Sequence, residues 1–193
     1  MLDKRITARE EDHASADEAL IARISERARN LFLSRQLQCA EAVMVALNRG
    51  LRGGLSEAQA VALAAPFGEA LGESGCLCGA LSGAVMASGL FLGNNQPFAR
   101  RRQLRNSARQ LHDGFKAANG STCCRVLSRK FKGDKHTHWQ HCADLTAATT
   151  EMAARLILKK RPELAAMADN TFMAKHESAI RGTVFRLLRL FHI

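Results

Sequence analysis

The stretch from Gly75 to Gly93, Gly-Cys-Leu-Cys-Gly-Ala-Leu-Ser-Gly-Ala-Val-Met-Ala-Ser-Gly-Leu-Phe-Leu-Gly, carries no charge and opens with two thiols. It limits the fold more than any other part of the chain. At helical spacing Gly79, Gly83 and Ala87 form one stripe, Ala80 and Ala84 the next, and Leu81, Val85 and Leu92 an apolar ridge. A stripe of small residues lets a second backbone come very close. Glycines inside a helix each cost about 1 kcal/mol relative to alanine, so the pattern predicts close packing and a site that return this energy. The run is nearly long enough to span a membrane, but its glycines, alanines and cysteines suit the middle of a soluble bundle.

The remaining composition agrees with helices. Alanine, leucine and arginine dominate, tyrosine is absent, and there are only three prolines in 193 residues. We therefore expect an all-α fold, a helical bundle with a central Gly/Ala-rich buried helix and cysteines at helix N-termini. The division expected is a mobile charged tail at 1–16, a cysteine-bearing bundle domain at 17–161, and a basic amphipathic C-terminal helical extension at 162–193.

Along the chain, a first helix from Asp17 to Leu33 buries Leu20, Ile24, Ala28 and Leu31 and faces Arg23, Glu26, Arg27 and Arg29 outward. A second begins at Cys39 and stops among Asn48, Gly50, Gly53 and Gly54. Ser56 and Gln59 read as a capping box for a third, with Ala58, Val61, Ala62 and Ala65 inward and Pro66 ending it. A glycine-punctuated loop from Phe67 delivers Cys76 and Cys78 to the central helix, and Asn94, Asn95 and Pro97 turn the chain after it. A fifth helix runs from about Phe98 to Lys116, with Leu104, Ala108, Leu111 and Phe115 in register. Asn119 and Gly120 stop it before a short helix that opens with Cys123 and Cys124. Thr137 is the expected N-cap of a long helix that ends at Pro162, with Cys142, Leu145, Thr149, Met152 and Leu156 on one face. Beyond it Ile180, Val184, Leu187, Leu188 and Phe191 alternate with arginines.

The opening residues place no apolar core behind their charges, which is not a secretory signal, so a cytoplasmic protein is expected. In that compartment the six cysteines point to metal, cluster or thiol redox chemistry rather than structural disulfides. The formal charge of +10 gathers at Arg100, Arg101, Arg102, Arg105 and Arg109 and again from Arg125 to Lys135. No helix-turn-helix, zinc-finger or aromatic-basic signature accompanies these patches, so a solvated face is preferred to a nucleic-acid or membrane surface.

Cys39, Cys78, Cys124 and Cys142 each fall near the expected first turn of a different helix. Free N–H groups there favour thiolates or an anionic cluster and lower a thiol's pKa, so four helix ends could surround one cofactor. Cys76 and Cys123 form a Cys-x-Cys and a vicinal pair with two of these. Each is open as an extra ligand, a resolving thiol or packing. His138 lies one helical turn before Cys142 and is a candidate additional ligand, with His136 and His141 beside it. Trp139 reads as an anchor, and Glu41, Glu69 and Glu73 as acids or bases near the thiols.

At these residues the chain resembles the C-GCAxxG-C-C family of redox-active proteins. The resemblance lies in Gln38-Cys39-Ala40-Glu41-Ala42-Val43, Cys78-Gly79-Ala80-Leu81-Ser82-Gly83, Cys124-Arg125-Val126-Leu127 and Cys142, over about residues 20 to 160. It implies a redox or metal role. The same module resembles the part of split-Soret cytochrome c that carries an iron-sulfur type centre, a dimeric protein, and by that likeness the four cysteines are cluster ligands. The haem-attachment motif is missing, and Cys76, Cys123 and the basic tail depart from the family pattern.

The expected function is a redox-active protein whose cysteines hold an iron-sulfur or other metal centre for electron transfer or redox sensing. Its partner is a redox protein or small electron carrier, and the split-Soret likeness adds a homodimer. One alternative is a metal-free dithiol/disulfide oxidoreductase, with Cys76 and Cys78 as the pair. Another is a zinc-containing regulatory or interaction module with a basic surface.

Overall fold

The computed structural model describes residues 2–93, 98–131 and 133–178. The turn expected at Asn94, Asn95 and Pro97 and the basic helix expected through Ile180 to Phe191 lie outside them. Among the described residues every regular element is helical: α1 (Leu2–Leu33), α2 (Cys39–Gly50), α3 (Glu57–Ala64), a short helical turn α4 (Gly68–Gly72), α5 (Gly79–Leu92), α6 (Arg101–Asn119), α7 (Cys124–Ser128), α8 (Lys135–Lys160) and α9 (Asn170–Met173). No helix among them is long and apolar enough to cross a membrane.

The most enclosed element is α2, where Ala40, Ala42 to Asn48 and Gly50 are all buried. A helix apolar all round belongs in the middle of a bundle, and here α1, α3, α5 and α8 surround it. Its one buried amide is fully used, since Asn48 Nδ2 donates to the Leu55 carbonyl (2.8 Å) and its Oδ1 accepts from the Leu55 N–H (3.1 Å). That pair pins the loop after α2. The capping box expected at Ser56 and Gln59 forms, with Gln59 N–H on Ser56 Oγ and Ser56 N–H on Gln59 Oε1.

The small-residue stripe of α5 meets α2 as its spacing predicts. A Cβ added at Gly83 would stand 2.6 Å from the Ala40 carbonyl oxygen, so only glycine lets the two backbones touch there. Gly89 differs, because nothing lies within 4 Å of the position its Cβ would take. The energy lost to glycine is therefore returned at Gly83 and not at Gly89.

α8 lies across α1, α2 and α5. Its buried threonines are satisfied locally, Thr146 Oγ1 donating to the Cys142 carbonyl (2.8 Å) and Thr150 Oγ1 to the Thr146 carbonyl (2.8 Å). α6 covers α5 with Ser107, Leu111 and Phe115 and leaves Arg101, Arg102, Arg105 and Arg109 in solvent.

Four local expectations are corrected. The first helix begins at Leu2, well before Asp17. Arg27 is not on an outer face: it is buried, 5 % exposed, because the segment after Pro162 folds back over it. In α3 the inward residues are Ala60 and Ala64, with Val61 partly covered, while Ala58, Ala62 and Ala65 are exposed. α8 is capped by Asp134, whose carboxylate accepts the Thr137 N–H at 3.0 Å, so Thr137 lies inside the first turn.

The residues after Pro162 are partly built into the bundle. Leu164, Phe172 and Met173 are buried in the main core, and the Asp169 N–H donates to the Gly50 carbonyl at 2.9 Å.

Candidate functional site

The cysteines meet where the starts of α2, α5 and α7 converge against the flank of α8. Cys39 opens α2, Cys78 is the N-cap of α5, and Cys124 opens α7 behind its N-cap Cys123. Two close approaches fix the arrangement. A Cβ on Gly79 would stand 2.5 Å from Cys39 Sγ and 2.6 Å from the Phe67 carbonyl oxygen, so the α2 thiol rests on the first residue of α5. On the other side the Cys78 N–H donates to the Thr122 carbonyl (2.8 Å), and the Arg125 N–H to the Gly75 carbonyl (3.1 Å), which lays the loop before α5 along the start of α7.

Cys142 completes the group from α8. It stands two turns inside that helix, not at its N-terminus, because the cap is Asp134. Ionisation of Cys124, Cys39 or Cys78 would nonetheless raise the pKa of its thiol, as ionisation of Cys39 or Cys124 would raise that of Cys78. Four sulfurs distant in sequence share one electrostatic locus.

Helix-end donors are present, but they do not set the thiol chemistry. The Ala40 and Glu69 amides favour a Cys39 thiolate, and the Leu81 and Ala80 amides a Cys78 thiolate. Burial opposes them and is larger, since a thiolate leaves water without compensation. It pushes Cys78 and Cys142 up to about 12, and Cys39 and Cys124 upward as well. The expected lowering at helix N-termini is thus reversed while the thiols carry their own protons. A bound metal would take the protons' place.

The Glu69 amide reaches Cys39 through an unusual backbone. Glu69, Ala70 and Leu71 have φ of 49°, 62° and 58°, continued by Gly72 at 59° and Glu73 at 65°, so α4 is a left-handed turn. Left-handed helical backbone costs an L-residue roughly 1–2 kcal/mol. Ala70 is buried, Ser74 Oγ donates to its carbonyl (2.8 Å), and Gln38 Nε2 holds Glu69 Oε1 (3.1 Å). Sequence reasoning reads Gly68 to Gly75 only as a loop, and nothing in Glu-Ala-Leu signals left-handed backbone.

Glu41 Oε2 accepts the Gln38 N–H (2.8 Å) as a cap of α2, and Glu69 is engaged by Gln38. Trp139 is an anchor, its ring stacked on Phe32 with centroids 4.1 Å apart. His138 and His141 keep buried Nε2 atoms that lack a partner among the described residues, beside the Phe131 ring. Burial, then the nearby Lys130, lowers the His141 pKa. Cys76 is exposed and Cys123 partly buried, both at the rim.

The donor set suits a soft metal centre, since thiolates select zinc, copper(I) and iron-sulfur clusters. As they stand, no three His, Cys, Asp or Glu side chains among the described residues are disposed to hold a metal ion.

The family described as "Putative redox-active protein (C_GCAxxG_C_C)" matches residues 37–156, which include Cys39, Cys76, Cys78, Cys123, Cys124 and Cys142. No curated protein and no solved structure matches the chain.

Proposed function

The chain belongs to the C_GCAxxG_C_C family of redox-active proteins, and from that premise we propose that Cys39, Cys78, Cys124 and Cys142 hold an iron-sulfur cluster used in electron transfer or redox sensing. The observation that carries this reading is the convergence of thiols from α2, α5, α7 and α8 on one locus, with the Cys39 sulfur seated against Gly79. When bound, such a cluster accepts and releases single electrons at a potential set by its hydrogen bonds and its exposure.

The chain's own residues set those conditions. The Ala40, Glu69, Ala80 and Leu81 amides favour the anionic form of the Cys39 and Cys78 sulfurs. Gly79 and Gly83 let α2 and α5 approach, which keeps water from the inner sulfurs. His138, one turn before Cys142, is the candidate additional ligand from α8. Burial of Cys78 and the raised pKa of all four make them slow to exchange with disulfides in solution, which weighs against a metal-free oxidoreductase built on them.

Iron, zinc and acid-labile sulfide per chain, with an absorption spectrum, should be measured on protein purified without oxygen. Iron with sulfide, lost in Cys78→Ser, is expected. Zinc without iron, or full iron in Cys78→Ser, overturns the assignment.

A further inference from the structure

The two thiols at the rim stand on adjoining loops. Cys76 is exposed, and Cys123 Sγ donates to the Gly75 carbonyl oxygen at 3.2 Å. That oxygen belongs to the peptide entering Cys76, and standard peptide geometry holds it about 2.8 Å from the Cys76 Cα. The Cys123 sulfur therefore lies within about 6 Å of the Cys76 Cα, and a bridge asks the Cys76 loop to close the remainder. The two strands of chain are already clamped, by Cys78 N–H to the Thr122 carbonyl, Arg125 N–H to the Gly75 carbonyl, and the Arg125 guanidinium to the Ser74 carbonyl (2.7 Å). What movement remains falls on a loop of left-handed residues, Gly75 at φ 79° and Leu77 at φ 59°. Cys78, the partner expected for Cys76, is instead buried at the start of α5.

We propose that Cys76 and Cys123 form a reversible dithiol–disulfide site whose oxidant is a small disulfide of the glutathione class. Cys76 attacks one sulfur of the small disulfide, forming a mixed disulfide and releasing one small thiolate. Cys123 then attacks the Cys76 sulfur, forming the Cys76–Cys123 bond and releasing the second small thiolate. Two protein thiols are oxidised and one small disulfide is reduced to two thiols, which take up the two protons the protein loses. The bridge ties the loop that bears Cys78 to the N-cap of α7, above the inner sulfurs. It does not depend on what Cys39, Cys78, Cys124 and Cys142 hold.

The test equilibrates the full chain with reduced and oxidised glutathione, blocks free thiols by alkylation after acid quenching, and maps the disulfides by mass spectrometry. The expected result is loss of two of the six thiols to one Cys76–Cys123 bridge, restored by excess reduced glutathione. Cys123→Ser should trap glutathione on Cys76, and Cys76→Ser should leave Cys123 reduced at the same glutathione ratio. Iron and sulfide assayed on the same samples report on the inner four separately. A bridge from Cys76 to Cys78 or Cys124, or a mixed disulfide on Cys76 in the parent chain that never resolves, overturns the proposal.

Discussion

Cys39 Sγ occupies space that a side chain on Gly79 would need, 2.5 Å from the position of its Cβ. The first residue of α5 is thus glycine because a thiol from α2 leans on it. Gly79→Ala should displace that thiol and destabilise the fold by roughly 1–3 kcal/mol, the usual cost of overpacking. Gly83→Ala, aimed at the Ala40 carbonyl at 2.6 Å, should behave alike. Gly89→Ala meets nothing and should stabilise by about 1 kcal/mol through helix propensity. Urea denaturation of the three variants checks the order, and equal effects would contradict the packing described.

Stability of the reduced, metal-free chain should fall as the solution becomes alkaline. Burial holds Cys78 and Cys142 as neutral thiols up to about 12, against 9.0 without it. Above the lower value the unfolded chain releases protons that the folded chain keeps, so the stability present below pH about 9 is lost as pH rises toward 12. Each such thiol contributes a slope of at most about 1.4 kcal/mol per pH unit. Denaturation midpoints across this range should fall, less steeply for Cys142→Ala. A flat profile would mean that water reaches the inner sulfurs.

Much of this site is written in local spacing. Gly79 and Gly83 stand four apart on α5, and the helix starts at Cys39, Cys78 and Cys124 follow from the breaks ahead of them. What escaped depends partly on residues far away in sequence and partly on competition between neighbours. Arg27 reads as an outward charge on α1 until the segment near Lys175 is seen to cover it. Thr137 reads as a cap because Asp134 competes with it from only three residues away, and the choice moves Cys142 from a helix end to a helix flank. Helix-end amides are legible one at a time, whereas the burial that outweighs them is a property of the whole bundle.

The left-handed turn offers a separate check on the backbone. Leu71 has φ 58° and ψ 66° and its side chain is 50 % exposed, so little packing offsets its conformation. Leu71→Gly should stabilise the protein by about 1 kcal/mol, because glycine adopts this region without steric cost. Ala70→Gly should gain less, since Ala70 is 1 % exposed and its methyl group is packed. Thermal midpoints of the two variants decide it, and destabilisation by Leu71→Gly would show that the turn is not left-handed in solution.

Arg27 holds the end of the described chain. Its guanidinium is 4 % exposed, donating from Nη1 to Asn30 Oδ1 and the Lys175 carbonyl (2.8 Å each) and from Nη2 to Glu177 Oε1 (3.4 Å). Asn30 in turn binds both the amide and the carbonyl of Glu177. Arg27→Met keeps most of the packing and removes the charge-assisted bonds, each of which contributes about 1.5–3 kcal/mol when buried. Partial exposure of Glu177, at 18 %, reduces the loss, and about 2 kcal/mol is expected. Hydrogen exchange should then quicken across residues 169–178 while the amides of α5 keep their protection, because this segment packs on α1 and α2. Equal loss of protection in α5 would mean that its packing supports the cysteine site through α2.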